Sequence, residues 1–397
     1  MSSSAEQRFQ PIDFKTRFPA LDGIRALAVT MVFALHFGAG SHGGLLKLVK
    51  AVSLHGGMGV DLFFVLSGFL ITGILYDTQS DSHFFSRFFG RRSIRIFPIF
   101  YLVLTVLLLL TPVFRYQWRP GHLAFPFYLG NFVMAADPSL RDVRSAVHPA
   151  ASATLIHFWS LCVEEQFYFI WPLAVWTVRD RMRLILTASG LSVAALGLRI
   201  AFVLNFSPRY YEMWMWHQLP FRMDALLIGA VLALVLRGPQ ADFWQRSCKW
   251  LFLLGAAIVI AISVVSPSLN SPWINTVGLT SVAIASAGLI GTALRPESIA
   301  FRVFHLRPFR VLGKYSYGFY VYHLIWGEAW SHLERVLATR LHSSVVATAM
   351  VDILSFSLTF SVAKLSYDYF EVRFLRLKKR FEYDSEQTSH QHAFLLN

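Results

Sequence analysis

Arg25 and His36 stand eleven residues apart in the apolar stretch "LDGIRALAVTMVFALH", residues 21 to 36. Eleven residues make about three helical turns, so the two side chains share nearly one face and lie ~16 Å apart along the axis. A charged Arg or Asp at the centre of a membrane helix costs roughly 2.5–3.5 kcal/mol on insertion scales, so each such group needs a reason. A core histidine satisfied by one hydrogen bond is the plain alternative for His36. Its company favours chemistry, because an imidazole near carboxylates is suited to general base work. The stretch "HFWSLCVEEQFYFIWPL" supplies them, with His157, Glu164 and Tyr168 on one face at i, i+7 and i+11 and Glu165 adjacent.

Other apolar runs carry polar groups too. "GVDLFFVLSGFLIT" adds Asp61 and Ser67, "FRMDALLIGAVLA" adds Arg222 and Asp224, and "LGKYSYGFYVYHLIW" puts Ser316, Tyr320 and His323 on one stripe. Together they are expected to line one polar substrate chamber inside a helix bundle. Asp61 and Asp224 read equally well as ion-pair partners between helices, and Asp22 reads as a cap or a local partner of Arg25. Arg87, Arg91, Arg92 and Arg95 cluster in "SRFFGRRSIRIFPIF". They read either as topology and headgroup contact or as forks for phosphate oxygens. Neither Cys162 nor Cys248 has metal-site or CxxC spacing, so no metal and no structural disulfide are expected.

Holding such groups at depth is a task for membrane helices. The chain of 397 residues is 55% hydrophobic and only 15% charged, a balance that excludes an ordinary soluble protein. Runs of about 18 to 22 mostly apolar residues cross a ~30 Å hydrocarbon core. They can be placed ten times, at 21–40, 57–77, 94–112, 157–178, 183–205, 218–237, 248–266, 272–293, 311–331 and 344–368. The expected fold is therefore all-α, a polytopic bundle of about ten transmembrane helices with both termini cytoplasmic. In that orientation the inner segments hold 23 Lys and Arg and the outer segments nine, so the positive-inside rule supports both count and direction. The net charge of +13 accordingly reads as topology, because it is split into short clusters and forms no single face for nucleic acid.

Residues 1–18 are read as a cytoplasmic segment without a removable signal, 19–380 as the membrane domain, and 381–397 as a disordered polar tail. The 113–156 loop is too long for a plain connector. It is expected to hold a re-entrant or surface helix around 121–135 and to cover an external site.

Six of these blocks, with "GMGVDLFFVLSGFLIT" and "RRSIRIFPIFYL" among them, occur in the order of a known family. Over nearly all of residues 19–375 the chain resembles the membrane acyltransferase-3 family, bacterial integral-membrane O-acyltransferases that modify cell-surface and exported glycans. The resemblance implies an acyl-CoA donor, commonly acetyl-CoA, approached from the cytoplasm, with no permanently bound cofactor. It implies a multi-pass protein among the lipids of the bacterial inner membrane. The acceptor would be a hydroxyl on a glycan, a glycolipid or a secreted small molecule. The family's Arg and His map to Arg25 and His36, and its arginines before the third helix map to Arg92 and Arg95. Its acidic residue maps to Glu164 or Glu165, with His157, Trp159 and Ser160 in the same motif.

On this resemblance His36 is expected to be the base, with Glu164 or Glu165 orienting it. Arg25, Arg91, Arg92 and Arg95 are expected to grip the donor. Many relatives carry an appended extracytoplasmic hydrolase-like domain, and a stand-alone form is expected here; "FEVRF" has Val372 where relatives commonly have Pro. The rival reading is a proton-coupled transporter of a solute or lipid-linked glycan using the same buried groups.

Overall fold

The computed structural model describes residues 18–37, 55–266 and 271–381. Within them the chain is a bundle of helices, and seven helices are long and apolar enough to cross a membrane. The bundle begins with α1 (Pro19–Phe37), α2 (Met58–Asp77) and α3 (Phe84–Phe114). It continues with α4 (Phe158–Val178), α5 (Arg181–Asn205), α6 (Leu219–Val235), α7 (Ala241–Val265) and α8 (Leu279–Ala293). Asp180 and Ser343 start two of the longer helices by accepting the backbone N–H three residues on, the usual satisfaction of an orphan donor. The expected N-terminal segment up to residue 17, the end of the first span at 38–40 and the tail from 382 lie outside the described residues.

The fourth expected span forms one helix over residues 158–178 that carries Glu164 and Glu165, whereas two others depart from the simple pattern. The sixth is a helix of only 17 residues. The ninth, expected as one rod over 311–331, is broken into α9 (Arg307–Lys314), α10 (Ser316–Tyr322) and α11 (Gly327–Leu341). The last long helix is α12 (Ser344–Ser366). The break has a complete backbone account. Because α10 stops at Tyr322, its last four carbonyls need partners. Phe319 O takes the His323 N–H at 3.0 Å and Tyr322 O takes the Ile325 N–H at 3.4 Å. Tyr320 O and Val321 O take the imidazole nitrogens of His323 and His157 at 2.6 and 3.0 Å.

The long loop does contain helix, as expected, in a 3-10 segment over Pro120–Phe127 and an α-turn over Gly130–Ala136. It also holds a small antiparallel sheet, β1 (Tyr116–Gln117), β2 (Asp142–Ser145) and β3 (Ala153–Thr154), which composition did not foretell. Thr154 N donates to Ile325 O at 2.9 Å, so the loop is fastened to the break in the ninth span. A buried amide cluster fastens its other side. Asn131 Nδ2 donates to Gln218 Oε1 at 3.1 Å, and Gln166 Nε2 donates to Asn131 Oδ1 at 2.9 Å.

Small residues set the helix spacing. A Cβ on Gly68 would fall 1.8 Å from Leu226 O, and one on Gly229 would fall 2.0 Å from Val65 O, so α2 and α6 cross with their backbones in contact. Trp171 Nε1 donates to Thr72 Oγ1 at 2.8 Å and holds α4 against the same helix. The outer helices differ in surface: Val265 on α7 is 81% exposed and Ile353 on α12 is 69% exposed, apolar flanks suited to lipid. Gly68→Ala and Gly229→Ala are expected to destabilise the detergent-purified protein by about 1–3 kcal/mol through overpacking. Gly190→Ala, where no heavy atom lies within 4 Å of the new Cβ, should leave the melting temperature unchanged or raise it.

Candidate active site

His36 sits in the last turn of α1, where its Nδ1 lies 2.9 Å from Val32 O and 3.1 Å from His323 Nε2. A carbonyl can only accept, so each contact to one fixes a proton on the ring. Tyr320 O places the proton of neutral His323 on Nδ1 and leaves its Nε2 as an acceptor. Val32 O places the proton of His36 on Nδ1, directed at the same time toward His323. His36 Nε2 then carries the lone pair. His157 completes the cluster, its ring centroid 5.1 Å from that of His323, with Nε2 tied to Val321 O. Beneath it the Tyr320 hydroxyl donates to His157 O at 2.9 Å and meets Ser160 Oγ at 2.5 Å.

The carboxylates lie elsewhere. Glu164 is seven residues beyond His157, about 10 Å along the α4 axis. The contacts of His36 Nδ1 are to Val32 O and His323 Nε2, so His323 stands where a carboxylate was expected, and among the described residues no hydrogen bond joins His36 to Glu164 or Glu165. The Ser67 and Tyr168 hydroxyls and the Arg92 charge face Glu164 instead. Ser67 and Tyr168 are hydrogen-bonded to each other, and the Arg92 guanidinium lies 4.8 Å from the centre of the Tyr168 ring. Glu165 Oε1 is buried without a hydrogen-bond partner, with Arg92 again its nearest positive influence.

The far end of α1 opens on a cavity of about 370 Å³. Arg25, Arg95, Arg237, Lys314 and Lys378 line it against only three carboxylates, Asp22, Asp77 and Glu371, so positive charge is in excess. Arg25 pairs with Asp22 at 2.5 Å, the local partnership its spacing suggested, and Arg237 forks onto Asp77 with two bonds of 2.7 Å. Arg95 stands exposed in the cavity, and among the described residues neither it nor Lys378 makes an ion pair. On the cavity wall Gly313 lets α9 press on α1, a Cβ there falling 1.7 Å from Asp22 O. Arg91 points away, its Nη1 3.5 Å from Phe381 O, and does not line the cavity.

Two further groups expected in the chamber are structural in this geometry. Asp61 pairs with Arg222 at 2.7 Å and Asp224 with Arg199 at 2.6 and 2.8 Å, all four side chains buried. The pairs between helices follow the expectation for both aspartates, although Arg199 was not singled out in the sequence. Ser316 is buried at the start of α10, one turn before Tyr320. Lys314, Lys378 and Glu371 were also missed. Lys314 and Lys378 sat among residues counted only for topology. Among the described residues no cluster of His, Cys, Asp or Glu has the geometry to hold a metal ion.

Comparison with known proteins decides the family. The model of one family, described as an acyltransferase domain, matches residues 18–363. The chain belongs to that acyltransferase family. Among curated relatives, O-acetyltransferase OatA of Staphylococcus aureus is 28% identical over 323 residues, covering 77% of this chain and 50% of its own. Peptidoglycan O-acetyltransferase OatA of Listeria monocytogenes is 29% identical over 372 residues, covering 89% of this chain and 55% of its own. Putative peptidoglycan O-acetyltransferase YrhL of Bacillus subtilis is 28% identical over 321 residues. The chain spans about half the length of these relatives. No solved structure matches it. Within this acyltransferase domain Ser67 on α2 is hydrogen-bonded to Tyr168 on α4, and Ser160 on α4 to Tyr320 on α10.

The buried pairs give a stability test. Arg222→Met alone leaves Asp61 charged and unpaired and should cost about 3–5 kcal/mol, whereas adding Asp61→Leu should restore most of it. Melting of the purified single and double variants reads the difference.

Proposed function

We propose that this chain is a membrane O-acyltransferase that moves an acetyl group from acyl-CoA to a hydroxyl of a cell-wall glycan. The observation that carries the reading is one helix, α1, with Arg25 in a cationic cavity at one end and His36 in an imidazole cluster at the other. A relative named peptidoglycan O-acetyltransferase supports a glycan as the acceptor class. The ~16 Å between the two side chains is comparable to the reach of a pantetheine arm, so phosphates held by Arg95, Arg25 and Lys378 leave the thioester near His36. Arginine forks and an ammonium group suit a polyphosphate, and the excess of cations favours its charge.

In this mechanism His36 Nε2 takes the proton of the acceptor hydroxyl while that oxygen attacks the thioester carbonyl. The new C–O bond forms, the C–S bond breaks, and the imidazolium returns its proton to the leaving thiolate. Glu164 and Arg92, whose charges face each other, are assigned to polarise the path between the two sites. In this reading the chain crosses the bacterial inner membrane ten times, with both termini inside and the cavity facing the cytoplasm. Seven crossings are the long apolar helices, and the reading adds α4, α6 and the broken α9–α11 unit. Residues 19–380 act as the catalytic unit, flanked by cytoplasmic segments.

Purified protein in lipid vesicles, given labelled acetyl-CoA and soluble peptidoglycan fragments, should yield base-labile acetyl ester on the fragments. His36→Ala should lower kcat by about 10²- to 10⁴-fold. Arg95→Ala should raise the KM for acetyl-CoA by roughly tenfold, the loss of ~1.4 kcal/mol of charged contact, and leave kcat near wild type. Movement of fragments across the vesicle without label transfer, or full activity in His36→Ala, would contradict the reading.

A further inference from the structure

We infer that His323 is a positioning residue for the reaction: a neutral imidazole that, beside Val32 O, accepts the Nδ1–H bond of His36 and holds that ring in place as the base becomes charged. The inference rests on the proposed acyl transfer and adds to it a partner for the base. The geometry is specific. His323 Nε2 is 3.1 Å from His36 Nδ1, with ring centroids 5.0 Å apart, and His323 Nδ1 is held 2.6 Å from Tyr320 O. His323 is 1% exposed, so no water competes for its lone pair.

The break after Tyr322 is what makes this possible. A continuous helix would spend the Tyr320 and Val321 carbonyls on backbone N–H groups, and neither imidazole would have an acceptor to fix its proton. With the helix stopped, Tyr320 O commits the His323 proton to Nδ1, so its Nε2 always presents a lone pair to His36. Val321 O commits His157 through Nε2, and the His157 ring then backs the His323 ring edge-on at 5.1 Å. His323 cannot swing away without losing both contacts.

The choice of an imidazole has a physical reason. When His36 Nε2 gains the hydroxyl proton, both nitrogens carry N–H, and Nδ1–H must keep an acceptor as the charge appears. A carboxylate in this position would be an extra buried charge through every other stage of the cycle, costly at membrane depth. A neutral nitrogen acceptor, with Val32 O beside it, supports the imidazolium during turnover and costs little at rest. The proton itself stays on His36 until the thiolate takes it.

The test uses His323→Ala and His323→Gln in the full chain, since Gln Oε1 reaches about as far as the imidazole Nε2 and can accept from His36. His323→Ala should lower kcat by about 10- to 100-fold, the usual range for residues that orient a reacting group, with the KM for acetyl-CoA unchanged. His323→Gln should recover part of that loss. Histidine-selective NMR of vesicle-embedded protein supplies a readout that needs no activity: the His36 Nδ1–H proton resonance should move upfield in the Ala variant, which loses one of two acceptors, and stay near its wild-type position in the Gln variant. Equal kcat in wild type and His323→Ala, or an unchanged His36 Nδ1–H resonance in His323→Ala, would overturn the inference. Failure of the acyl-transfer reading is distinguishable, because it appears as absent ester formation in wild type while the resonance shift still stands.

Discussion

A backbone carbonyl inside a bilayer must find a donor, and the rest of this molecule's design follows from where that rule is met by side chains. Most helices satisfy it internally. The unit from Arg307 to Leu341 does not, because it stops at Tyr322 and resumes at Gly327. Two of its carbonyls are taken by imidazoles from α4 and from the break itself, and Ile325 O is taken by the loop through Thr154 N. The unpaired backbone thereby fixes ring tautomers, and the imidazole cluster in turn keeps the break stable. Backbone economy and site geometry are one arrangement.

Around that centre the bundle places its charges in three distinct ways. Asp61 with Arg222 and Asp224 with Arg199 are buried pairs, each bonded across helices, which lock α2, α5 and α6 at defined depth. Arg92, Glu164, Glu165 and Tyr168 form an intermediate group in which opposite charges face each other without a direct bond between Arg92 and either carboxylate. Arg95, Lys314 and Lys378 line an open cavity with cations in excess. Only the last arrangement leaves positive charge to be met from outside, which is why the donor is assigned there and the neutral imidazoles are assigned the proton.

Much of this was legible in the sequence. The eleven-residue spacing on α1 put Arg25 and His36 on a shared stripe, and the structure seats them at the cavity and the cluster. The Asp22 and Arg25 pair and the helical content of the long loop also followed from local pattern. What periodicity could not carry was anything set by contact between distant segments. Hydropathy over 311–331 is continuous, so it hid a break that depends on His157 from α4 and on Thr154 from the loop. An interhelical partner for Asp224 was expected but not identified, because Arg199 sits 25 residues away on another helix. Lys378 read as topology, since nothing local shows that residues 367–378 turn back to wall the cavity.

The account divides the molecule into a donor end and a proton-transfer end joined by α1. A photoreactive benzophenone analogue of CoA, cross-linked to the vesicle-embedded protein and mapped by mass spectrometry, tests that division most directly. The account predicts adducts on peptides that wall the cavity, those containing Arg25, Lys314 or Lys378, and their loss on competition with acetyl-CoA. Adducts confined to the 113–156 loop, or labelling that acetyl-CoA does not displace, would contradict it.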